Sequence, residues 1–357
     1  MAVIDLALHD SSADLARRVL RRGVRTLAAV LMAATGDDEF LYVACPDFSI
    51  TLRQRRLVVG LPIGGYVNWF GKRAFPIDLD VNSCGVHLLQ LSRLFSKDDV
   101  IQGIFNLKKH LDTGAVTVGT TSLKWNFTRR NHFIALYEND EHTTRYLLFH
   151  AAGETKLFDK ADLVKQFQVQ TVSVDGRTVP YIAGEDFDEY CALAAEENAL
   201  FSRRHEEVFS YLFDPGHIVL YADQHFGMVN PGELLMGCSR IRPGTVFPLL
   251  TRPFSDIYLA EALPPCDQIG DATGGLALVP HGLGMVVPEY VLDIIEAAND
   301  DDSDYVEVTS AAGGSLITNV LEYAGVSYRS QEVLPEMERS GTFRVIEALH
   351  PIVCFKL

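Results

Sequence analysis

Two neighbouring segments constrain the fold of this chain most strongly, because they combine glycine-rich turns with side chains that can bind a metal. The segment Gly60-Leu-Pro-Ile-Gly-Gly65 predicts a turn, and Phe75-Pro-Ile-Asp-Leu-Asp-Val-Asn-Ser-Cys-Gly-Val86 follows it. Asp80 and Cys84 stand four residues apart in the second segment, with Asp78 just before them. A thiolate and a carboxylate at this spacing can hold a transition metal if histidines arrive from elsewhere. Three later segments offer histidines, at His132, His150 and His225.

Helical and strand patterns are interspersed along the chain. Apolar residues recur at helical spacing over residues 12–34, 97–112 and 185–212, and short strand patterns lie between them. No regular βαβ rhythm is present, and no GxGxxG follows a first strand. These patterns predict an α+β fold rather than a doubly wound sheet, in one domain spanning residues 1–357.

Composition narrows the class of protein further. Of 357 residues, 48% are hydrophobic and 22% are charged, which is typical of a globular protein. No segment resembles a signal peptide, and no apolar stretch reaches the roughly 18 residues of a membrane-spanning helix. We therefore expect a cytoplasmic protein with no membrane partner. The net charge of −16 predicts no broad affinity for nucleic acid, because non-specific binding relies on Lys and Arg neutralising phosphates.

The three histidines share a position in the predicted secondary structure. Each is expected where a strand gives way to a turn, a place where metal ligands are common because the strand fixes the backbone. With Asp80 and Cys84 they form a five-member ligand set suited to Mn²⁺, Zn²⁺ or Co²⁺ rather than Mg²⁺ or Ca²⁺. The chain has 11 histidines, so spacing alone does not select this set.

Segments distributed over nearly the whole chain resemble, in order, the motifs of the RtcB-type RNA ligases. Gly60 to Gly65 matches the family's Gly-Phe-Pro-Ile-Gly-Gly, and Asp80 to Val86 is similar to its Asp-Ile-Asn-Cys-Gly-Val with one extra residue. The further segments are Cys45-Pro-Asp47, Gly119-Thr120, Asn131-His-Phe133, His150-Ala-Ala-Gly153, the helix at 185–212, Asp223-Gln-His225, Val279-Pro-His-Gly-Leu-Gly284 and Leu349-His-Pro-Ile-Val-Cys-Phe-Lys356. That family joins RNA 3′-phosphate or 2′,3′-cyclic-phosphate ends to 5′-hydroxyl ends with GTP and Mn²⁺, in RNA repair and tRNA splicing.

The resemblance implies a role for each matching residue. Cys84 would bridge two Mn²⁺ ions around a central metal-binding cleft lined by mixed or antiparallel sheets, with helices at the periphery. His132 and His150 would complete one ion's ligands, and Asp80 and His225 the other's. Three further positions would bind the nucleotide or an RNA phosphate, namely Asn131, Gly282 and Lys356.

The chain also departs from the family pattern. Ala311, in Val308-Thr-Ser-Ala-Ala-Gly-Gly314, stands where the family has the histidine that attacks GTP, and an alanine cannot accept the guanylate. Glu154 replaces a family arginine, and Arg242-Pro-Gly-Thr245 lacks the lysine of the corresponding loop. The extra residue before Cys84 could move the carboxylate role to Asp78.

Three functions therefore stay open. The first is an RNA ligase in which His281 is a displaced GTP acceptor. The second is a metal-dependent phosphoesterase acting on RNA ends. The third is a catalytically inactive homologue with a binding or structural role. Partners would be RNA ends, and self-association stays open.

Overall fold

The computed structural model describes residues 1–50, 59–79, 81, 83–113, 117–118, 121–122, 132–151, 160–212, 216–288, 306–309, 315–318 and 325–356. Helices and strands are interspersed along the described chain, so the predicted α+β class is confirmed. The described helices are α1 (Ser11–Thr35), α2 (Lys97–Asp112), α3 (Lys160–Gln166), α4 (Glu185–Leu212), α5 (Asp267–Thr273) and α6 (Leu334–Glu338), with 3₁₀ turns at Ile77–Leu79 and Gln331–Val333. None of these helices has the length and apolar character needed to cross a membrane.

The predicted helix at 12–34 is confirmed as α1, and its ends have clear physical causes. The Asp10 side chain accepts a hydrogen bond from the amide of Ala13 at 2.7 Å, which satisfies a donor that the first turn leaves open. Gly36 ends the helix in the left-handed conformation, with φ of +75°. The predicted helices at 97–112 and 185–212 are likewise confirmed as α2 and α4.

Eleven strands form one large sheet in the order β1-β2-β3-β13-β12-β5-β9-β8-β22-β16-β15. Its neighbouring strands are antiparallel except for β1 and β2. The bounds of its strands are β1 (Ala2–Asp5), β2 (Leu41–Ser49), β3 (Ile63–Asn68), β5 (Cys84–Gln90), β8 (Phe133–Asn139), β9 (Arg145–Ala151), β12 (Ile218–Asn230), β13 (Glu233–Met236), β15 (Val246–Leu249), β16 (Ile257–Ala262) and β22 (Phe343–Phe355).

Smaller sheets hold the other described strands. One is three-stranded, in the order β10-β11-β4, and the rest are two-stranded pairs: β14 with β17, β18 with β21, β19 with β20, and β6 with β7. Their bounds are β4 (Ala74–Pro76), β6 (Thr117–Val118), β7 (Thr121–Ser122), β10 (Gln170–Val174), β11 (Arg177–Ala183), β14 (Cys238–Ile241), β17 (Ala277–Pro280), β18 (Met285–Val286), β19 (Val306–Thr309), β20 (Ser315–Thr318) and β21 (Ser327–Tyr328).

The four adjacent strands β12, β5, β9 and β8 form the part of the large sheet that bears the predicted ligands. Both faces of β5, β9 and β8 are covered. Val86, Leu88 and Leu148 belong to one buried apolar cluster, and alternate residues such as Leu89 and Leu147 pack with the apolar face of α2. Burial on both faces makes these three strands a firm support for side chains at their ends.

The predicted turn at residues 60–65 is wrong for its second half, because β3 begins at Ile63 and includes both Gly64 and Gly65. The two glycines serve close packing against β2. A Cβ at Gly64 would lie 2.6 Å from Phe48 Cα, and one at Gly65 would lie 2.1 Å from the Tyr42 hydroxyl. The pairing of β2 with β3 jumps here from Ala44–Gly65 to Ser49–Ile63, so β2 bulges past the glycines.

Gly64→Ala is expected to destabilise the fold far more than a matched change at Gly36. Both glycines have φ near the same left-handed value, +77° and +75°, but no described atom lies within 4 Å of a Cβ at Gly36. We expect Gly36→Ala to lower the free energy of unfolding by about 1 kcal/mol. Gly64→Ala adds overpacking and should cost roughly 3 kcal/mol. Urea unfolding of both variants measures the two free energies of unfolding. Equal losses of free energy in Gly64→Ala and Gly36→Ala would contradict the packing role of Gly64.

Candidate metal centre

Three of the predicted ligands meet at the ends of adjacent strands. Cys84 is the first residue of β5, and Ser83 before it has a φ of +47°, an uncommon conformation for a residue with a side chain. The β5–β9 register pairs Val86 with His150, and the β9–β8 register pairs His150 with Phe133. His132, directly before Phe133, therefore stands beside the same strand ends.

The contact geometry of these three residues is tight. The Cys84 Sγ atom lies 3.3 Å from His132 Nε2 and 3.3 Å from His150 Nε2. All three potential ligand atoms lie within 4.8 Å of one another. The residues are 5%, 6% and 1% exposed, respectively, so the cluster is buried.

The donor set fits a transition metal. A tetrahedral ion about 2.3 Å from sulfur and about 2.0 to 2.1 Å from imidazole nitrogen separates those ligand atoms by roughly 3.6 Å. The observed 3.3 Å needs only a small outward movement of the side chains. One thiolate with two imidazoles is a soft to intermediate set that suits Zn²⁺ or Co²⁺ better than Mg²⁺ or Ca²⁺.

His225 lies next to this cluster, with its ring centroid 5.1 Å from that of His150. The prediction that His225 ends a strand is wrong, because it lies inside the 13-residue strand β12. The β12–β5 pairing shifts register between Gln224–Gly85 and Phe226–Cys84, which leaves His225 as the extra residue of a bulge. A bulge re-aims a side chain that strict alternation would direct elsewhere.

Burial keeps the His225 imidazole neutral. Desolvation lowers its pKa well below the usual value, and the neighbouring His281, His150 and His132 rings lower the pKa further. A neutral imidazole has a nitrogen lone pair, which is the form that binds a metal.

His281 lies beside His225 and is the outermost of four neighbouring histidine rings, His132, His150, His225 and His281, which we call the histidine row. Its ring stacks on His225, with centroids 4.4 Å apart and planes 21° from parallel. Its Nδ1 atom lies 3.1 Å from Asp47 Oδ2 and 2.8 Å from the carbonyl oxygen of Gly237. Sequence reasoning noted Asp47 only within a motif and gave it no role, because its contact with His281 spans 234 positions.

The remaining predicted site residues are not among the three that the structure brings together at Cys84. Asp80, Asn131 and Ala311 lie outside the described residues. Asp78 is buried in the Ile77–Leu79 turn. Gly282 packs on the backbone of Leu250, where a Cβ would lie 2.8 Å from the carbonyl oxygen. Lys356 is exposed after β22, whose register with β8 runs toward His132.

No family model matches this chain, and no curated protein matches it.

Proposed function

We propose that this chain is a divergent RtcB-like protein of RNA repair, with a divalent transition metal held by Cys84, His132 and His150. The observation that carries the proposal is the Cys84 thiol at 3.3 Å from two imidazole nitrogens in a buried cluster. The ordered resemblance to RtcB motifs supports the RNA-end substrate class. Residues 1–357 would form one cytoplasmic domain around a central metal-binding cleft, and Asp80 and His225 would bind a second ion.

The sequence favours phosphoesterase chemistry over GTP-dependent ligation. A bound divalent ion supplies Lewis-acid stabilisation of a phosphoryl oxygen, which needs no covalent guanylate. Ala311 cannot accept a guanylate, and the family arginine and lysine replaced here would have held phosphates. Ligation through His281 as the GTP acceptor is the second candidate function, since that ring stacks on His225 beside the cluster.

Metal-loaded protein distinguishes these functions. Purified protein is loaded with Mn²⁺, Zn²⁺ or Co²⁺, desalted and incubated with an RNA oligonucleotide ending in a 2′,3′-cyclic phosphate, with or without a 5′-hydroxyl RNA and GTP. We expect stoichiometric metal and opening of the cyclic phosphate without GTP. Joined RNA that requires GTP, with a covalent guanylate lost in His281→Ala, would instead establish the ligase. Stoichiometric metal without turnover would leave a binding role, and protein that retains no metal would overturn the proposal.

A further inference from the structure

The contacts of His281 fix which of its ring nitrogens carries the proton. Nδ1 faces two oxygens, Asp47 Oδ2 at 3.1 Å and the Gly237 carbonyl at 2.8 Å. The carbonyl can only accept a hydrogen bond, so a lone pair on Nδ1 would point at another lone pair. Nδ1 therefore carries the hydrogen, and Nε2 of the neutral ring has an available lone pair.

Asp47 at its buried position is expected to lower the stability of the fold. It is 1% exposed, in a strand that is buried along its length, and it projects from the bulge where β2 passes Gly64. Its second oxygen, Oδ1, has no hydrogen-bond partner among the described residues. Burying a carboxylate with an incomplete set of partners costs free energy. The described contact that accounts for this buried carboxyl group is the one between Asp47 Oδ2 and His281 Nδ1.

His281 is the most accessible member of the histidine row. Its side chain is 18% exposed, whereas the whole residues His225 and His150 are only 4% and 1% exposed. An imidazole binds a metal in the plane of its ring, so two rings stacked 21° from parallel are poorly placed to share one ion. The Nε2 lone pair of His281 is thus left for a group that arrives from solvent.

We propose that His281 contacts the substrate of this centre and that Asp47 is a positioning residue that, together with the Gly237 carbonyl, holds the His281 ring in the Nδ1–H tautomer. Nε2 then accepts a hydrogen bond from a hydroxyl group, either of water or of a ribose. The tautomer follows from the described contacts, whereas the hydroxyl ligand rests on the proposed function. In a carboxylate–imidazole pair of this kind, the carboxylate sets the ring orientation and so the direction of the second nitrogen.

Nuclear magnetic resonance of ¹⁵N-histidine-labelled protein tests the tautomer directly. Signals of His281 are assigned by their loss in His281→Asn. The expected result is a protonated Nδ1 and an unprotonated Nε2. This tautomer should be retained in Asp47→Asn, where the amide oxygen still accepts, and only partly retained in Asp47→Leu, where the Gly237 carbonyl is the remaining acceptor. A proton on Nε2 in the wild-type protein would overturn the inference, whether or not the variants fold.

The substrate contact is tested with the cyclic-phosphate oligonucleotide. His281→Asn keeps a donor toward Asp47 but loses the Nε2 acceptor, so we expect turnover to fall roughly 10- to 100-fold with unchanged metal content. The control is His142→Asn, at an exposed histidine whose φ of +55° asparagine tolerates. Wild-type turnover in His281→Asn would contradict this inference alone. No turnover in the wild-type protein would contradict both the phosphoesterase function and the hydroxyl contact. The NMR experiment would still determine the tautomer.

Discussion

Cys84→Ala is expected to weaken metal binding at least a hundredfold. The Cys84 sulfur contacts both His132 Nε2 and His150 Nε2, so its removal leaves two imidazoles without the thiolate that completes the set. Loss of a residue that only orients a ligand typically costs about 10- to 100-fold in metal affinity, and loss of a ligand itself costs more. Competition with a chromogenic chelator measures the affinity for Zn²⁺ or Co²⁺.

Cys45→Ala provides the matched control. Cys45 is also a fully buried cysteine, but it packs in an apolar cluster with Leu41, Val43 and Cys238 rather than with histidines. Cys45→Ala should lower the free energy of unfolding slightly and leave the metal affinity unchanged. Equal loss of metal in both variants, or retention of metal in Cys84→Ala, would contradict the assignment of Cys84 as a ligand.

Arg329→Met is expected to lower the free energy of unfolding by about 3 kcal/mol. The side chain of Arg329 is 1% exposed and donates to both oxygens of Asp10, at 2.7 and 3.0 Å. It also donates to the carbonyl oxygens of Phe48 and Leu283, at 3.0 and 3.2 Å. Methionine fills similar space but leaves these acceptors without their buried donor. Removing one partner of a buried pair is destabilising because the other partner stays buried and unsatisfied.

The same arginine connects the parts that present the Asp47–His281 pair. Phe48 follows Asp47 in β2, Leu283 follows the His281 loop, and Asp10 caps α1. Burial alone would raise the pKa of Asp10, but hydrogen bonds from Arg329 and the Ala13 amide lower it overall. Arg329→Met should therefore also disturb the His281 resonances.

The control for Arg329 is Arg344→Met. Arg344 pairs with Glu261 across β22 and β16, but its side chain is 65% exposed. An exposed pair of this kind contributes about 0 to 1 kcal/mol. Denaturant unfolding that gave the two variants equal losses would contradict the structural role assigned to Arg329.

The sequence predicted what depends on local patterns and missed what depends on distant contacts. Helix α1 was predictable because its cap at Asp10, its apolar spacing and its terminal Gly36 are all local signals. Cys84 was singled out by its polar, glycine-flanked segment. The bulge at His225 was not predictable, because it arises from the register between β12 and β5.

The Asp47–His281 pair shows the same limit. Neither residue carries a local signal for the other, since β2 and the loop after β17 meet only in the tertiary structure. A glycine pair read as a turn proved to be part of a strand, because the close approach of β2 was not visible in the sequence. Long-range packing thus decides both the shape of the centre and its outermost residue.

X-ray absorption spectroscopy of the Zn²⁺- or Co²⁺-loaded protein tests the central claim most directly. The account predicts a bound ion with one sulfur ligand at about 2.3 Å and at least two imidazole nitrogens at about 2.0 to 2.1 Å. The sulfur contribution should disappear in Cys84→Ala and persist in Cys45→Ala. A bound ion with only oxygen and nitrogen ligands, or wild-type protein that retains no ion after desalting, would contradict it.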